Sequence, residues 1–87
     1  MNSSEQFDKL YSYVVANPKA SYEITFDDNS TITAFFDTAY ETDNSLEMED
    51  PNYEEFWALL FTSEDKAYEI TYKNMPAHVT SEGNIVI

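Results

Sequence analysis

Ser21-Tyr22-Glu23-Ile24-Thr25-Phe26-Asp27-Asp28-Asn29-Ser30-Thr31-Ile32-Thr33-Ala34-Phe35-Phe36 decides the fold. Tyr22, Ile24 and Phe26 alternate with Glu23 and Thr25, the period of a strand with one face buried. Asp28-Asn29 tolerates the positive φ of a tight turn, and the β-branched and aromatic run from Thr31 to Phe36 returns as a second strand. The stretch is therefore an antiparallel hairpin, whose apolar face needs a cover.

The cover lies upstream. Phe7, Leu10, Tyr11 and Val14 fall at helical spacing, Ser3 or Ser4 can cap, and Gln6 completes a capping box with Ser3. Asn17-Pro18 stops the run, so residues 4–16 read as an amphipathic helix. Downstream, residues 37–45 read as a polar loop and Leu46-Glu47-Met48-Glu49 as a short strand. Asp50-Pro51 resembles a helix start, but Phe56-Trp57-Ala58-Leu59-Leu60-Phe61-Thr62 is an apolar run ending at Ser63-Glu64-Asp65-Lys66, after which Tyr68, Ile70 and Tyr72 alternate. A second hairpin pairing 56–62 with 67–73 follows, with at most one helical turn at 51–55. Asn74-Met75-Pro76 is a stop, Gly83 takes a positive φ in a turn, and Ile85-Val86-Ile87 closes as an edge strand. The class expected is α+β: one N-terminal amphipathic helix packed on a four- to five-stranded antiparallel sheet built from hairpins, as a single domain over residues 1–87.

The chain has 87 residues, which allows one domain and leaves little core to spare, and its 16% of aromatic residues supplies the density such a core needs. With no cysteine there is no disulfide or thiolate metal site, which agrees with the cytoplasm. Met1-Asn2-Ser3-Ser4-Glu5 lacks the basic and apolar regions of an export signal, and no apolar run approaches the roughly 18 residues of a membrane span. A cytoplasmic protein with no membrane contact is expected.

Seventeen acidic residues face four lysines, a formal charge of −13. Between Lys19 and Lys66 every charged side chain is acidic, while Glu5, Asp8, Glu69 and Glu82 offset the four lysines outside that span. Such a field repels nucleic acid and anionic membrane and steers the chain toward a basic protein surface or toward cations.

Catalysis finds no foothold. His78 is the one histidine, beside a proline turn, without cysteine or a serine in a nucleophile setting, and reads as a solvated loop or strand residue. The carboxylates are many but undifferentiated, where general acid–base chemistry needs two in contrasting environments. A single glycine rules out a phosphate-cradling loop. Asp27-Asp28-Asn29 and 43–50 offer oxygen ligands for a divalent ion, yet the glycine and terminal glutamate of a calcium loop are missing. The chain is read as a non-enzyme with no cofactor and no dedicated metal site.

The candidate partner-binding residues form an acidic belt with two tyrosines: Asp37, Tyr40, Glu41, Asp43, Glu47, Glu49, Asp50, Tyr53, Glu54 and Glu55. One reading is a solvated surface. The other is that carboxylates stand in for phosphates, since Glu47 and Glu49 on one strand face would lie about 6.6 Å apart. Tyr53, Phe56, Trp57 and Phe61 read as core, with Tyr40 and Tyr53 as alternative interface anchors.

Thr38-Ala39-Tyr40-Glu41-Thr42-Asp43-Asn44, then Asp50-Pro51-Asn52-Tyr53 and Trp57-Ala58-Leu59, resembles the central part of the phage uracil-DNA glycosylase inhibitor family. That resemblance implies a small acidic DNA mimic that grips a DNA-binding cleft. The family's acidic first strand and second helix have no counterpart here, so none of its inhibitory residues is carried over. The same stretch resembles a pattern in small uncharacterised proteins of Gram-positive bacteria and their mobile elements, for which no activity is implied. Phage-borne acidic inhibitors, anti-CRISPR proteins among them, share the composition. The leading expectation is a phage-type DNA-mimic inhibitor of a basic protein that binds DNA or RNA. The alternative is an interaction or immunity-type module using an aromatic sheet face, and the third is a weak divalent-cation binder.

Overall fold

The computed structural model describes residues 2–87. Helix α1 (Ser3–Ala16) is followed by β1 (Ser21–Thr25), β2 (Thr31–Asp43), β3 (Glu55–Ser63), β4 (Lys66–Ile70), β5 (His78–Ser81) and β6 (Asn84–Ile85). All pairings are antiparallel, in one sheet of order β4-β3-β2-β1-β5-β6. The α+β class stands, with six strands in place of four or five.

The helix begins one residue early because Asn2, not Ser3 or Ser4, is its cap: the Asn2 side chain accepts the Glu5 N–H at 2.9 Å. It ends at Asn17, whose N–H reaches back to Tyr13 O and Val14 O. Phe7, Leu10 and Val14 are buried against the sheet, as their spacing requires, with Tyr11 and Tyr13 packed beside them. The sheet's contribution follows from register. Tyr22 faces Ala34, Ile24 faces both Ile32 and Val79, Phe36 faces Phe61, and Leu59 faces both Ala39 and Ile70, so one face of the sheet is the apolar floor under α1. Tyr22 sits at its centre, edge-on to Phe61 at 5.5 Å and to Tyr13 at 6.1 Å, and its hydroxyl donates to Asn17 O at 2.7 Å.

Turn chemistry explains the hairpins. In the first turn only Asn29 takes a positive φ (68°); Asp28 instead accepts the N–H and hydroxyl of Ser30. The β3–β4 turn uses Glu64 at φ 57°, and the β5–β6 turn uses Glu82 and Gly83 at 50° and 87°, the pair of positive values that a two-residue I′ hairpin needs. Of the last strand expected, 85–87, only Ile85 lies in the edge strand β6; Val86 and Ile87 follow it, both donating their N–H to Val79 O. The strand at 78–81 carries no apolar alternation long enough to be read, and His78 lies exposed on it.

The largest departure is at 37–49. Asp37 is not the start of a loop but a bulge within β2, where the register shifts between Phe36 and Thr38, and β2 then continues to Asp43 against β3. The stretch 46–49 is a turn-rich connection and not a strand, and in place of the helical turn at 51–55 there is a turn at 51–52, with Glu55 already in β3. At about 3.3 Å per residue, β2 alone is on the order of 40 Å long, while β1 pairs only with 31–35 and β4 only with 59–63. Strands β2 and β3 therefore run on together past their neighbours as a two-stranded ribbon, 40–43 with 55–58, closed by the connection 44–54. The β2 half of the ribbon is only half-buried and carries no apolar alternation, which is why it does not read as a strand. Among the described residues, no helix is long and apolar enough to cross a membrane.

Candidate functional site

The ribbon and its closing connection together carry most of the acidic belt. Pairing sets Glu41 opposite Trp57 and Asp43 opposite Glu55 on the face that continues the helix side. Glu41 and Asp43, two residues apart on one strand face, stand about 6.6 Å from each other. The spacing proposed for Glu47 and Glu49 thus occurs in β2 and not at 46–49, where no strand exists. Tyr53 joins this group: partial desolvation, then the carboxylates of Glu55, Asp43 and Glu41, raise its phenol above the usual tyrosine value. Trp57 is 47% exposed and touches Tyr11 edge-on at 6.1 Å. It is not core; of the four aromatics expected there, only Phe61 is buried, with Tyr53 and Phe56 half-buried.

The connection 44–54 is held by its own side chains. Asp43 accepts Ser45 N–H, Asn44 donates to Asn52 O, and Asp50 accepts Asn52 N–H. These bonds keep Glu47, Glu49 and Asp50 at the ribbon's end beside two exposed apolar side chains, Leu46 and Met48, the latter 76% exposed.

Glu54 is set apart. Its carboxylate accepts the Tyr72 hydroxyl and pairs with Lys73 Nζ at 3.1 Å, and these two hold it below the usual glutamate value. Lys73 also lies over the Phe56 ring at 5.1 Å. Glu54 is thus a clasp between the ribbon and the segment after β4, and its charge is neutralised locally. Tyr40 faces the opposite side of the sheet, with its hydroxyl donated to Glu69, which raises the phenol. Asp37 projects from the bulge, away from the ribbon's end.

Of the ten residues singled out, the structure gathers Glu41, Asp43, Tyr53 and Glu55 around Trp57 and holds Glu47, Glu49 and Asp50 at the adjoining tip; it separates Asp37, Tyr40 and Glu54. Sequence reasoning missed Trp57, Leu46 and Met48 as surface groups. No local signal marked Trp57, which lies inside the apolar run 56–62. Among the described residues, no three His, Asp or Glu side chains form a group able to hold a metal ion.

An open cleft of about 910 Å³ lies at the other end of α1, lined by Ser3, Gln6, Phe26, Tyr68, Lys73 and Met75 among others. Asp27, Asp28 and Ser30 of the first turn also line it.

No curated protein and no solved structure matches the chain. A family model described as cognate immunity protein YxxD matches residues 5–75, taking in nearly all of α1, strands β1 to β4 and the whole ribbon. The segments that resemble the uracil-DNA glycosylase inhibitor fall inside that match, and nothing beyond those short segments supports that likeness. By a match over most of its length, the chain belongs to the family of the cognate immunity protein YxxD.

Proposed function

We propose that this chain is an immunity protein that neutralises a cognate toxin by binding it, without catalysis, and that the end of the β2–β3 ribbon is the binding surface. The observation that carries the proposal is the half-exposed Trp57 set among Glu41, Asp43 and Glu55 on a projecting ribbon. A large aromatic ring in a polar rim is the composition of an interface anchor. The surrounding carboxylates, unneutralised apart from Glu54, favour a partner patch rich in lysine and arginine and accelerate its encounter. Met48 and Leu46 add adaptable apolar area beside them.

The narrower reading is that the partner's basic patch is a groove for DNA or RNA, occupied here by carboxylates in place of phosphates. The Glu41–Asp43 spacing of about 6.6 Å supports it.

The test is growth of bacteria producing the cognate toxin together with this chain, paired with calorimetry of the purified proteins at several salt concentrations. Wild-type protein restores growth. Trp57→Ala weakens binding by about 2 kcal/mol or more, roughly thirtyfold, and Glu41→Gln with Asp43→Asn flattens the salt dependence. Undiminished affinity in both variants overturns the assignment of the surface, and a toxin unaffected by the wild-type chain overturns the function. A competing duplex DNA that displaces the toxin separates the narrower reading from the broader one.

A further inference from the structure

Among the described residues several stretches of strand edge have no strand beside them: the outer side of β4, β3 before Leu59, β6, and β2 beyond Phe35. Beside the β3 edge of the ribbon stand the Tyr72 ring, against Phe56, and the cation Lys73, paired with Glu54. On β4 the Glu69 carbonyl takes the Asn74 amide at 2.9 Å, and β6 is only two residues long. The outer edge of β2 beyond Phe35 has no strand beside it among the described residues.

Which groups face that edge follows from register. Asn44 N–H bonds Glu54 O, and in an antiparallel ladder hydrogen-bonded and non-bonded pairs alternate. Thr42, Tyr40 and Thr38 therefore bond to β3, while Ala39, Glu41 and Asp43 turn their N–H and C=O groups outward. Among the described residues, no backbone group outside β3 bonds these three; the Ala39 carbonyl takes only the Thr38 hydroxyl, at 3.4 Å. The bulge at Asp37 ends the open edge on one side and the Asp43–Ser45 turn ends it on the other. Between them lies about 13 Å of unpaired strand.

We propose that this edge receives an extended segment of the toxin as an added strand, one carrying lysine or arginine at alternate positions. The inference rests on the immunity reading above and names how the partner is held. Main-chain pairing supplies the affinity and the flanking side chains the choice of partner. Glu41 and Asp43 flank the edge on one face and, among the described residues, make no ion pair, so an incoming basic side chain is favoured. A second copy of this chain is disfavoured, because antiparallel pairing about Glu41 sets Glu41 against its own duplicate. Charge at an open edge is a standard guard against self-pairing; here the guard also sets the sign of what is admitted.

The test is amide hydrogen exchange of the purified chain, alone and with a blocked peptide of alternating lysine and valine, beside the glutamate–valine counterpart. The basic peptide slows exchange at Ala39, Glu41 and Asp43 by about tenfold or more and leaves Thr38, Tyr40 and Thr42, already bonded to β3, unchanged. Glu41→Pro removes one outward N–H where proline is tolerated and abolishes the protection, whereas Ala67→Pro, at an outward position on β4, leaves it intact. No slowing with the basic peptide, slowing at Ala67 or Glu69 instead, or concentration-dependent slowing of the chain alone overturns the proposal. Toxin neutralisation is read separately, so the immunity function can survive a negative exchange result.

Discussion

Replacing Tyr22 by phenylalanine tests how the helix is locked to the sheet. The ring remains between Phe61 and Tyr13, and the change deletes only the hydroxyl that donates to Asn17 O at 2.7 Å. Asn17 is exposed, and its carbonyl still receives Ala20 N–H at 3.3 Å, so no buried acceptor is stranded. The loss is therefore that of an ordinary hydrogen bond, about 1 kcal/mol, which lowers the thermal midpoint of a domain this size by about 4–8 °C. A second signature lies in the pH dependence. Burial first, then the neighbouring Tyr13 and Glu82, push the Tyr22 phenol up from 10.0 to about 12. The folded state thus favours the neutral form: this contribution is complete below the unfolded value near 10 and is lost as pH rises through about 12. Tyr40, Tyr53 and Tyr72 are also raised but are present in both proteins, so the difference between the two stability curves isolates Tyr22. Urea unfolding measured at neutral pH and in steps through the alkaline range gives both signatures. Equal stability at neutral pH, or parallel alkaline curves, refutes the lock.

Three further outcomes follow from the same contacts. Leu59→Ala, at a fully buried position between Ala39 and Ile70, costs about 2–5 kcal/mol, enough to leave much of so small a domain unfolded in a thermal melt. Glu64→Gly relieves a side chain held at φ 57° in the β3–β4 turn and raises stability by up to about 1 kcal/mol, read by urea midpoint. Tyr72→Phe removes the larger of the two influences holding the Glu54 carboxyl down, so an NMR titration finds Glu54 moved up toward the ordinary glutamate value. In the wild type, the stability tied to that lowered carboxyl is present above the ordinary value and lost as pH falls through the lowered one, and the variant loses less in acid.

Local periodicity determined much of this protein. The 3.6-residue spacing of Phe7, Leu10 and Val14 and the two-residue spacing of Tyr22, Ile24 and Phe26 each mark a face that must be buried, so the helix, both central hairpins and the Gly83 turn can be read directly. The acidic character of 37–55 is equally legible, since it depends on composition alone. Tertiary structure decided the rest. Residues 38–43 are a strand only because β3 lies beside them; only partly buried, they carry no apolar alternation, and half of their backbone is satisfied by pairing that no local pattern announces. That same pairing brings Glu41, Asp43 and Glu55 to one face, moves Trp57 from expected core to surface, and leaves the Ala39, Glu41 and Asp43 backbone unpartnered. Placement of β5 against β1, distant in sequence, likewise sets the sheet order. A residue's own neighbours fix which face it shows, but only partners far along the chain fix what that face meets.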